Sequence, residues 1–115
     1  MKNLEELRRA LRKFASDRDW EQFHTPKNLA AALSVEVAEL QEIFMWLTPE
    51  QSMNLSDEKR SHVNDEVGDV FICLLNFCNR LGVDPISAAA EKLSKNEAKY
   101  PVEKSRGHAK KYTDF

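Results

Sequence analysis

The chain has 115 residues, of which 42% are hydrophobic and 31% charged, and its formal net charge is −2. This composition is typical of a globular domain and excludes a bulk attraction to nucleic acid or to anionic membranes. No apolar run approaches the roughly eighteen residues of a membrane span, and the charged N-terminus lacks an apolar signal region, so we expect one cytoplasmic domain covering residues 1–115. Cys73 and Cys78 would point to different sides of a helix, so we expect both thiols to stay reduced.

The first half of the chain contains signals for two helices. An Asn-x-x-Glu capping box at Asn3 predicts a helix over about residues 4–18. Thr25 as the N-cap, with a proline directly after it, predicts a second helix that ends near Leu47. The Thr-Pro pair that follows Leu47 predicts a stop, and residues 48–55 are predicted to form a polar connector.

The second half contains signals for two more helices and a tail. Ser56 is predicted to cap a third helix that runs to Leu81, with a glycine just past its end. An Asp-Pro pair then opens a fourth helix, which ends near Tyr100 before another proline. Residues 102–115 are predicted to form a basic, irregular tail. Since no segment has the alternating pattern of a strand, the predicted fold class is all-α.

Two pairs of acidic residues at i, i+3 spacing are the most informative feature of the sequence. They lie in SVEVAELQEIFMW and NDEVGDVFICLLNF, and they are Glu36, Glu39, Glu66 and Asp69. On a helical projection Glu36 falls inside an apolar stripe, where an unpaired charge costs several kcal/mol. Four acids on two helices predict a hard-oxygen site suited to Mg²⁺, with a solvated helix face as the alternative. A di-iron site is disfavoured because neither pair continues as Glu-x-x-His.

The third predicted helix is apolar around most of its circumference. Its hydrophobic residues are Val67, Val70, Phe71, Ile72, Leu74, Leu75, Phe77, Cys78 and Leu81. Four helices in a chain of this length can hardly enclose such an arc, so an oligomeric interface is implied. The opposite strip of the same helix is where a polar site is expected, and it carries His62, Glu66, Asp69, Cys73, Asn76 and Arg80.

One face of the fourth predicted helix is a candidate phosphate-binding surface. Lys92, Asn96 and Tyr100 recur at i, i+4 and i+8, so their side chains share that face. A lysine and an amide beside four acids are what a metal-bound phosphate chain needs. The alternative is a solvated, lysine-rich helix.

Aromatic residues at the two ends of the second predicted helix are candidate base contacts. Trp20 and His24 precede the helix, and Trp46 lies at its end. Exposed indoles near a polar cleft can stack on a nucleobase. The alternative is that the aromatic rings belong to the core, and for His24 it is a structural hydrogen bond.

Four segments carry a resemblance to a known family, and they are DRDWEQFHTPKNL, EVAELQEIFMW, DEVGDV and KLSKNEAKYPVEKSRG…KYTDF. From about residue 4 to residue 115 the chain resembles the all-α nucleoside triphosphate pyrophosphohydrolases of the MazG-like superfamily, and within it the dCTP pyrophosphatase branch. The resemblance implies a four-helix bundle that oligomerisation completes, with a homotetramer favoured over a dimer.

The resemblance also implies a role for each candidate residue. The Mg²⁺ ligands, one of which would help to activate the attacking water, would be Glu36, Glu39, Glu66 and Asp69. The contacts to the triphosphate would be Lys92 and Asn96, with Tyr100 close by. The base pocket would be lined by Trp20 and Trp46. Better-known members of the branch carry a histidine in place of Leu11 and a tyrosine in place of Cys73, so we expect a shallower base preference here.

These observations predict Mg²⁺-dependent hydrolysis of a deoxynucleoside triphosphate to its monophosphate and pyrophosphate, in nucleotide-pool sanitation. The expected substrate is dCTP or a 5-modified dCTP. Two alternatives are the same reaction with broad base specificity and a non-catalytic helical bundle that binds a nucleotide or a protein partner.

Overall fold

The computed structural model describes all of residues 1–115 and contains helices but no strand. The six α-helices are α1 Leu4–Asp17, α2 Pro26–Phe44, α3 Pro49–Ser52, α4 Asp57–Leu81, α5 Pro85–Lys99 and α6 Val102–Ser105. Two 3₁₀ turns, Glu21–Phe23 and Tyr112–Asp114, complete the secondary structure. The all-α prediction is confirmed. No single helix has both the length and the apolar character to cross a membrane, and only α4 and α5 taken as a pair meet those criteria.

The four long helices begin at the residues that the sequence predicts. In each case the N-cap side chain accepts a hydrogen bond from a backbone N–H of the first turn, and these caps are Asn3, Thr25, Ser56 and Asp84. A proline follows Thr25 and Asp84 at the first helical position, where its missing N–H costs nothing. Helix α4 ends at Gly82, whose φ of 69° lies in the left-handed region that favours glycine.

The connector after α2 differs from the prediction. Helix α2 ends at Phe44 and not near Leu47, whose N–H donates to the carbonyl of Phe44 in a turn. Residues 48–55 are not merely a polar connector, because they contain the short helix α3. Thr48 caps α3 in a reciprocal capping box with Gln51, and a proline again stands at the first helical position. The same Thr-Pro signature that opens α2 therefore opens α3 as well.

The C-terminal segment is more ordered than an irregular tail. It contains α6 and one 3₁₀ turn, and its aromatic rings pack on the end of α5. Tyr100 makes edge-to-face contacts with Tyr112 and with Phe115, each with 5.8 Å between ring centroids. The Lys99 ammonium lies 4.9 Å from the centroid of the Tyr112 ring. Alternating apolar periodicity could not predict this segment, because its order comes from a few aromatic side chains.

The chain divides into two compact units, Met1–Gly82 and Val83–Phe115. In the first unit α4 packs against both α1 and α2. The side chains that become buried are few, and they are Ala15, Leu29, Leu75 and Cys78. Both cysteines are free. The single-domain organisation of residues 1–115 remains a prediction.

The apolar arc of α4 is only partly covered within one chain. Leu75 is fully buried, whereas Val67 is 51% exposed and Phe71 is 42% exposed. Other large apolar side chains on the same helix are also exposed, and they are Ile72, Leu74 and Leu81. Exposed apolar area of this extent is typical of a surface that another chain covers, and the oligomer stays a prediction.

Candidate active site

Three of the four predicted metal ligands meet where α2 and α4 pack together. Carboxylate oxygens of Glu36, Glu39 and Glu66 all lie within 4.8 Å of one another. Asp69, one turn after Glu66 on α4, is close enough to act electrostatically on both Glu36 and Glu66, although it lies outside this group of three. The i, i+3 spacing in each helix places the pairs on facing sides, which is why they converge. We call these four residues the acidic cluster.

The acidic cluster favours protonation of its own members. Burial raises the pKa of Glu36 to about 7, with further contributions from a side-chain hydrogen bond with Glu39 and from the charges of the other three acids. Burial also raises the pKa of Glu66, and the neighbouring acids raise it further. His62, whose Nε2 lies 3.6 Å from Glu66 Oε1, lowers it in part. The cluster is therefore a site of unbalanced negative charge.

Two oxygens of the acidic cluster lack any partner in the protein. Glu36 Oε2 and Glu66 Oε2 are buried and accept no hydrogen bond. A buried oxygen without a donor carries a desolvation cost that a bound cation removes. Since the donors are all carboxylate oxygens from two rigid helices, the residues fit a hard divalent cation such as Mg²⁺.

A cavity of about 280 Å³ adjoins the acidic cluster toward the end of α2. It is lined by Glu39, Glu42, Ile43, His62 and Glu66. Glu42 did not figure among the predicted site residues, although it continues the i, i+3 series from Glu39 and could have been found from that spacing. The cavity is strongly acidic, so it suits a cation and not an unaccompanied anion.

A second cavity, of about 230 Å³, lies toward the beginning of α2. It is lined by Leu11, Arg12, Ala15, Glu21, His24, Asn76, Asn79 and Arg80. We call it the α1–α4 cavity. The ring of Trp20 makes an edge contact with His24, one of the lining residues, with 6.5 Å between ring centroids. Leu11, at which the sequence departs from better-known members of the branch, and His24, a predicted base contact, therefore line the same cavity.

The two tryptophans lie at opposite ends of α2. Trp20 precedes the helix and contacts Phe14 at the end of α1, whereas Trp46 follows the helix and is 88% exposed. The 19 residues of α2 span about 28 Å at 1.5 Å per residue. Trp20 and Trp46 of one chain therefore cannot line the same base pocket.

Cys73 is one of the two positions at which the sequence departs from better-known members of the branch. Cys73 is half-buried, and burial together with the charges of Glu36 and Asp69 raises the pKa of its thiol. It therefore lies beside the acidic cluster.

In the second unit, α5 carries Lys92 and Asn96, and Tyr100 follows as its C-cap. Lys92 is exposed and the other two are half-buried, and their predicted contact with phosphate remains a prediction.

Comparison with known proteins agrees with the helical fold and identifies the family. The sequence profile of the MazG-like family matches residues 31–115, and the chain belongs to this family. Similar curated proteins include dCTP pyrophosphatase 1 of Bos taurus, 43% identical over 114 residues that cover 97% of this chain and 68% of the relative. The human dCTP pyrophosphatase 1 is 40% identical over an alignment that covers 97% of this chain and 67% of the human protein.

A solved structure gives the same result at the level of the fold. The crystal structure of a pyrophosphatase from Archaeoglobus fulgidus superposes with a TM-score of 0.81 at 44% sequence identity, covering 84% of this chain and 91% of the other. The prediction of the family is confirmed, and with it the prediction of the enzyme class. The chain is a nucleoside triphosphate pyrophosphohydrolase.

Proposed function

We propose that this protein hydrolyses dCTP, or a 5-substituted dCTP, to the monophosphate and pyrophosphate with Mg²⁺ as cofactor. The observation that carries the proposal is the convergence of Glu36, Glu39 and Glu66, whose oxygens lie within 4.8 Å while two of them are buried without a partner. The base assignment is supported by relatives at 40 and 43% identity, which are dCTP pyrophosphatases.

The acidic cluster has two tasks in this proposal. Its carboxylates would hold Mg²⁺, and Asp69 would complete the ligand set. When bound, Mg²⁺ supplies charge neutralisation at the phosphates and makes water at the site more acidic. A carboxylate of the cluster accepts the proton of the water that attacks the α-phosphate. The half-buried position of Glu36 limits access of bulk water, which strengthens these electrostatic interactions.

The remaining predicted residues would bind the substrate. Lys92 and Asn96 would contact the triphosphate, with Tyr100 next to them, because an ammonium and an amide offer the donors that phosphate oxygens require. Trp20 and His24 would contact the base, since His24 lines the α1–α4 cavity and the Trp20 ring packs edge-on against it. Stacking on an indole tolerates any base, so groups at the base edge must provide the discrimination.

Trp46 would reach a base only from another copy of the chain. Since α2 separates it from Trp20 by about 28 Å, a pocket containing both rings needs two protomers. The exposed apolar arc of α4 provides a surface for such association. We therefore propose a homo-oligomer, with a tetramer favoured over a dimer, as the active form, and a cytoplasmic role in nucleotide-pool sanitation.

The specificity of the enzyme is tested by kcat/KM values measured with Mg²⁺ for dCTP, 5-methyl-dCTP, dUTP, dTTP and dATP. We expect dCTP and its 5-methyl form to be turned over best, with a modest margin over the other pyrimidines because Leu11 and Cys73 offer little hydrogen bonding. A purine at the top of the ranking would contradict the dCTP assignment. It would leave the pyrophosphohydrolase class intact and favour broad or different base specificity.

A further inference from the structure

The acidic cluster has a cavity on each side, and the two differ in chemistry. Helices α2 and α4 run in opposite directions, because Glu39 adjoins His62 whereas His24, before α2, adjoins Asn76. Asn76 follows Asp69 by two helical turns on the same strip of α4, which is about 10 Å. A nucleotide whose phosphates lie at the cluster can extend its base in that direction within one unit of the fold.

The α1–α4 cavity suits a heterocycle better than a phosphate. One wall is apolar, formed by Leu11 and Ala15, and the lining also includes His24, against which the Trp20 ring packs edge-on. Of its two cations, Arg12 is engaged by Glu5 at 3.2 Å and by Asn79 at 3.1 Å, whereas Arg80 is exposed to solvent. The carboxylate of Glu21 would repel a phosphate group. The volume of about 230 Å³ is below the roughly 300–1,000 Å³ of sites for whole drug-sized ligands, so it fits part of a nucleotide.

Two asparagines line this cavity, and only one of them, Asn79, makes side-chain hydrogen bonds with other residues of the protein. Asn79 Oδ1 accepts from Arg8 Nε at 2.7 Å and from Arg12 at 3.1 Å, and its Nδ2 donates to the Arg8 carbonyl at 3.2 Å. Asn79 therefore ties α4 to α1. The half-buried amide of Asn76, one turn earlier, makes no hydrogen bond within the protein. Its donor and its acceptor are both available to a ligand.

We propose that Asn76 reads the hydrogen-bonding edge of the nucleobase, which the proposed function places in the α1–α4 cavity. The inference rests on the proposed function. The amide oxygen accepts from the 4-amino group of cytosine, and the amide nitrogen donates to the ring N3. A rotated amide pairs equally with the 4-oxo group and N3–H of uracil. Asn76 therefore recognises a pyrimidine edge without rejecting uracil strongly, which agrees with a shallow preference for cytosine.

The test combines a change in the enzyme with a change in the substrate. The probes are dCTP and the 2-pyrimidinone deoxynucleoside triphosphate, which lacks the 4-amino group. We expect Asn76→Ala to lower kcat/KM for dCTP about tenfold and to lower that for the analogue far less, because the analogue has already lost one of the two hydrogen bonds. Asn76→Leu, which is close to asparagine in size, should behave like Asn76→Ala. It controls for a loss of activity caused only by the empty space that the alanine side chain leaves.

Two other asparagines of α4 serve as controls. Asn64 lies on a different side of the helix, lines another surface depression and should leave both kcat/KM values unchanged when replaced by alanine. Asn79→Ala should lower the Tm, since it removes the contacts to α1.

The outcomes separate the inference from the proposed function. If the wild type does not hydrolyse dCTP, the proposed function is wrong and the inference is overturned with it. If the wild type hydrolyses dCTP but Asn76→Ala and Asn76→Leu change both substrates equally, or change neither, the inference alone is overturned. A selective loss for dCTP supports it.

Discussion

Glu36 on α2 and Glu66 on α4 bring carboxylate oxygens within 4.8 Å of each other, and each has its Oε2 buried without a hydrogen-bond partner. The two residues belong to different helices, so their approach is a consequence of how α2 packs on α4. An arrangement of this kind destabilises the charged, metal-free state because like charges repel at short distance and cannot be solvated. The packing of α2 on α4 is therefore strained electrostatically unless a cation or protons neutralise the site.

The metal-free protein should lose stability as pH rises from about 5 to 8. The pKa of Glu36 is raised to about 7 in the folded state from an ordinary value of 4.5, so folding favours the protonated form. This contribution to stability is complete below pH 4.5 and is lost as pH passes through 7. Melting curves in a chelator at a series of pH values would measure it.

Two comparisons make the pH prediction specific to the acidic cluster. Glu36→Gln cannot ionise, so its Tm should fall less between pH 5 and 8 than that of the wild type. Mg²⁺ should raise the Tm of the wild type more at pH 8 than at pH 5, because it binds the deprotonated carboxylates. Parallel pH profiles for the wild type and the variant would count against the raised pKa of Glu36.

Replacement of Glu36 by glutamine should abolish turnover while the protein stays folded. The variant keeps the size of the side chain but removes one carboxylate from the group that would hold the cation. Glu50, an exposed glutamate in α3, is a charge-matched control whose replacement by glutamine should leave activity intact. Circular dichroism would show whether the variant is folded, and the rate of product formation would measure its activity. An active Glu36→Gln enzyme would remove Glu36 from the ligand set.

Lys92→Ala should weaken binding of dCTP more than binding of dCMP. The prediction follows from the shared face of Lys92, Asn96 and Tyr100, where an ammonium would balance the charge of the triphosphate. Calorimetric Kd values for dCMP and for a dCTP analogue with a non-hydrolysable α,β bridge, both measured with Mg²⁺, give the comparison. Lys13, whose ammonium pairs with Asp17 on α1, provides a charge-matched control. Equal losses for the two nucleotides would reduce Lys92 to a general electrostatic contributor.

Co-expression of two tryptophan variants tests whether two chains build the base pocket. Trp20→Ala and Trp46→Ala should each lower kcat/KM for dCTP. In mixed oligomers some pockets would combine an intact Trp20 from one chain with an intact Trp46 from another, and activity should return. If the mixture is no more active than the average of its two components, the two rings do not share a pocket.

Much of the fold follows directly from local sequence signals. The four long helices begin at their predicted caps because each cap satisfies backbone donors that the helix itself cannot satisfy, and Gly82 ends α4 in the left-handed conformation that only glycine adopts cheaply. The short helix α3 is not predicted by the sequence pattern, because Thr48-Pro49 serves both as the stop after α2 and as the start of α3. The order in the C-terminal segment depends on contacts of Tyr100 with distant rings, which local patterns do not contain.

The candidate site could be predicted in part. The i, i+3 spacing and the apolar surroundings of Glu36 were sufficient to predict that acids from two helices would meet, and the structure brings three of the four within 4.8 Å. The separation of Trp20 from Trp46 depends on the length of α2, and only the structure shows that Arg8 and Arg12 donate to Asn79 and not to Asn76. Such features arise from tertiary contacts, so sequence spacing alone could not supply them.

The most direct test of the proposed reaction is ³¹P NMR of dCTP incubated with the purified protein and Mg²⁺, with excess EDTA in a parallel sample. We expect dCMP and pyrophosphate to appear in equal amounts with Mg²⁺ and no conversion in EDTA, because in the proposed function a divalent cation held by the acidic cluster binds the triphosphate. Formation of dCDP and orthophosphate, or undiminished turnover in EDTA, would contradict the proposal.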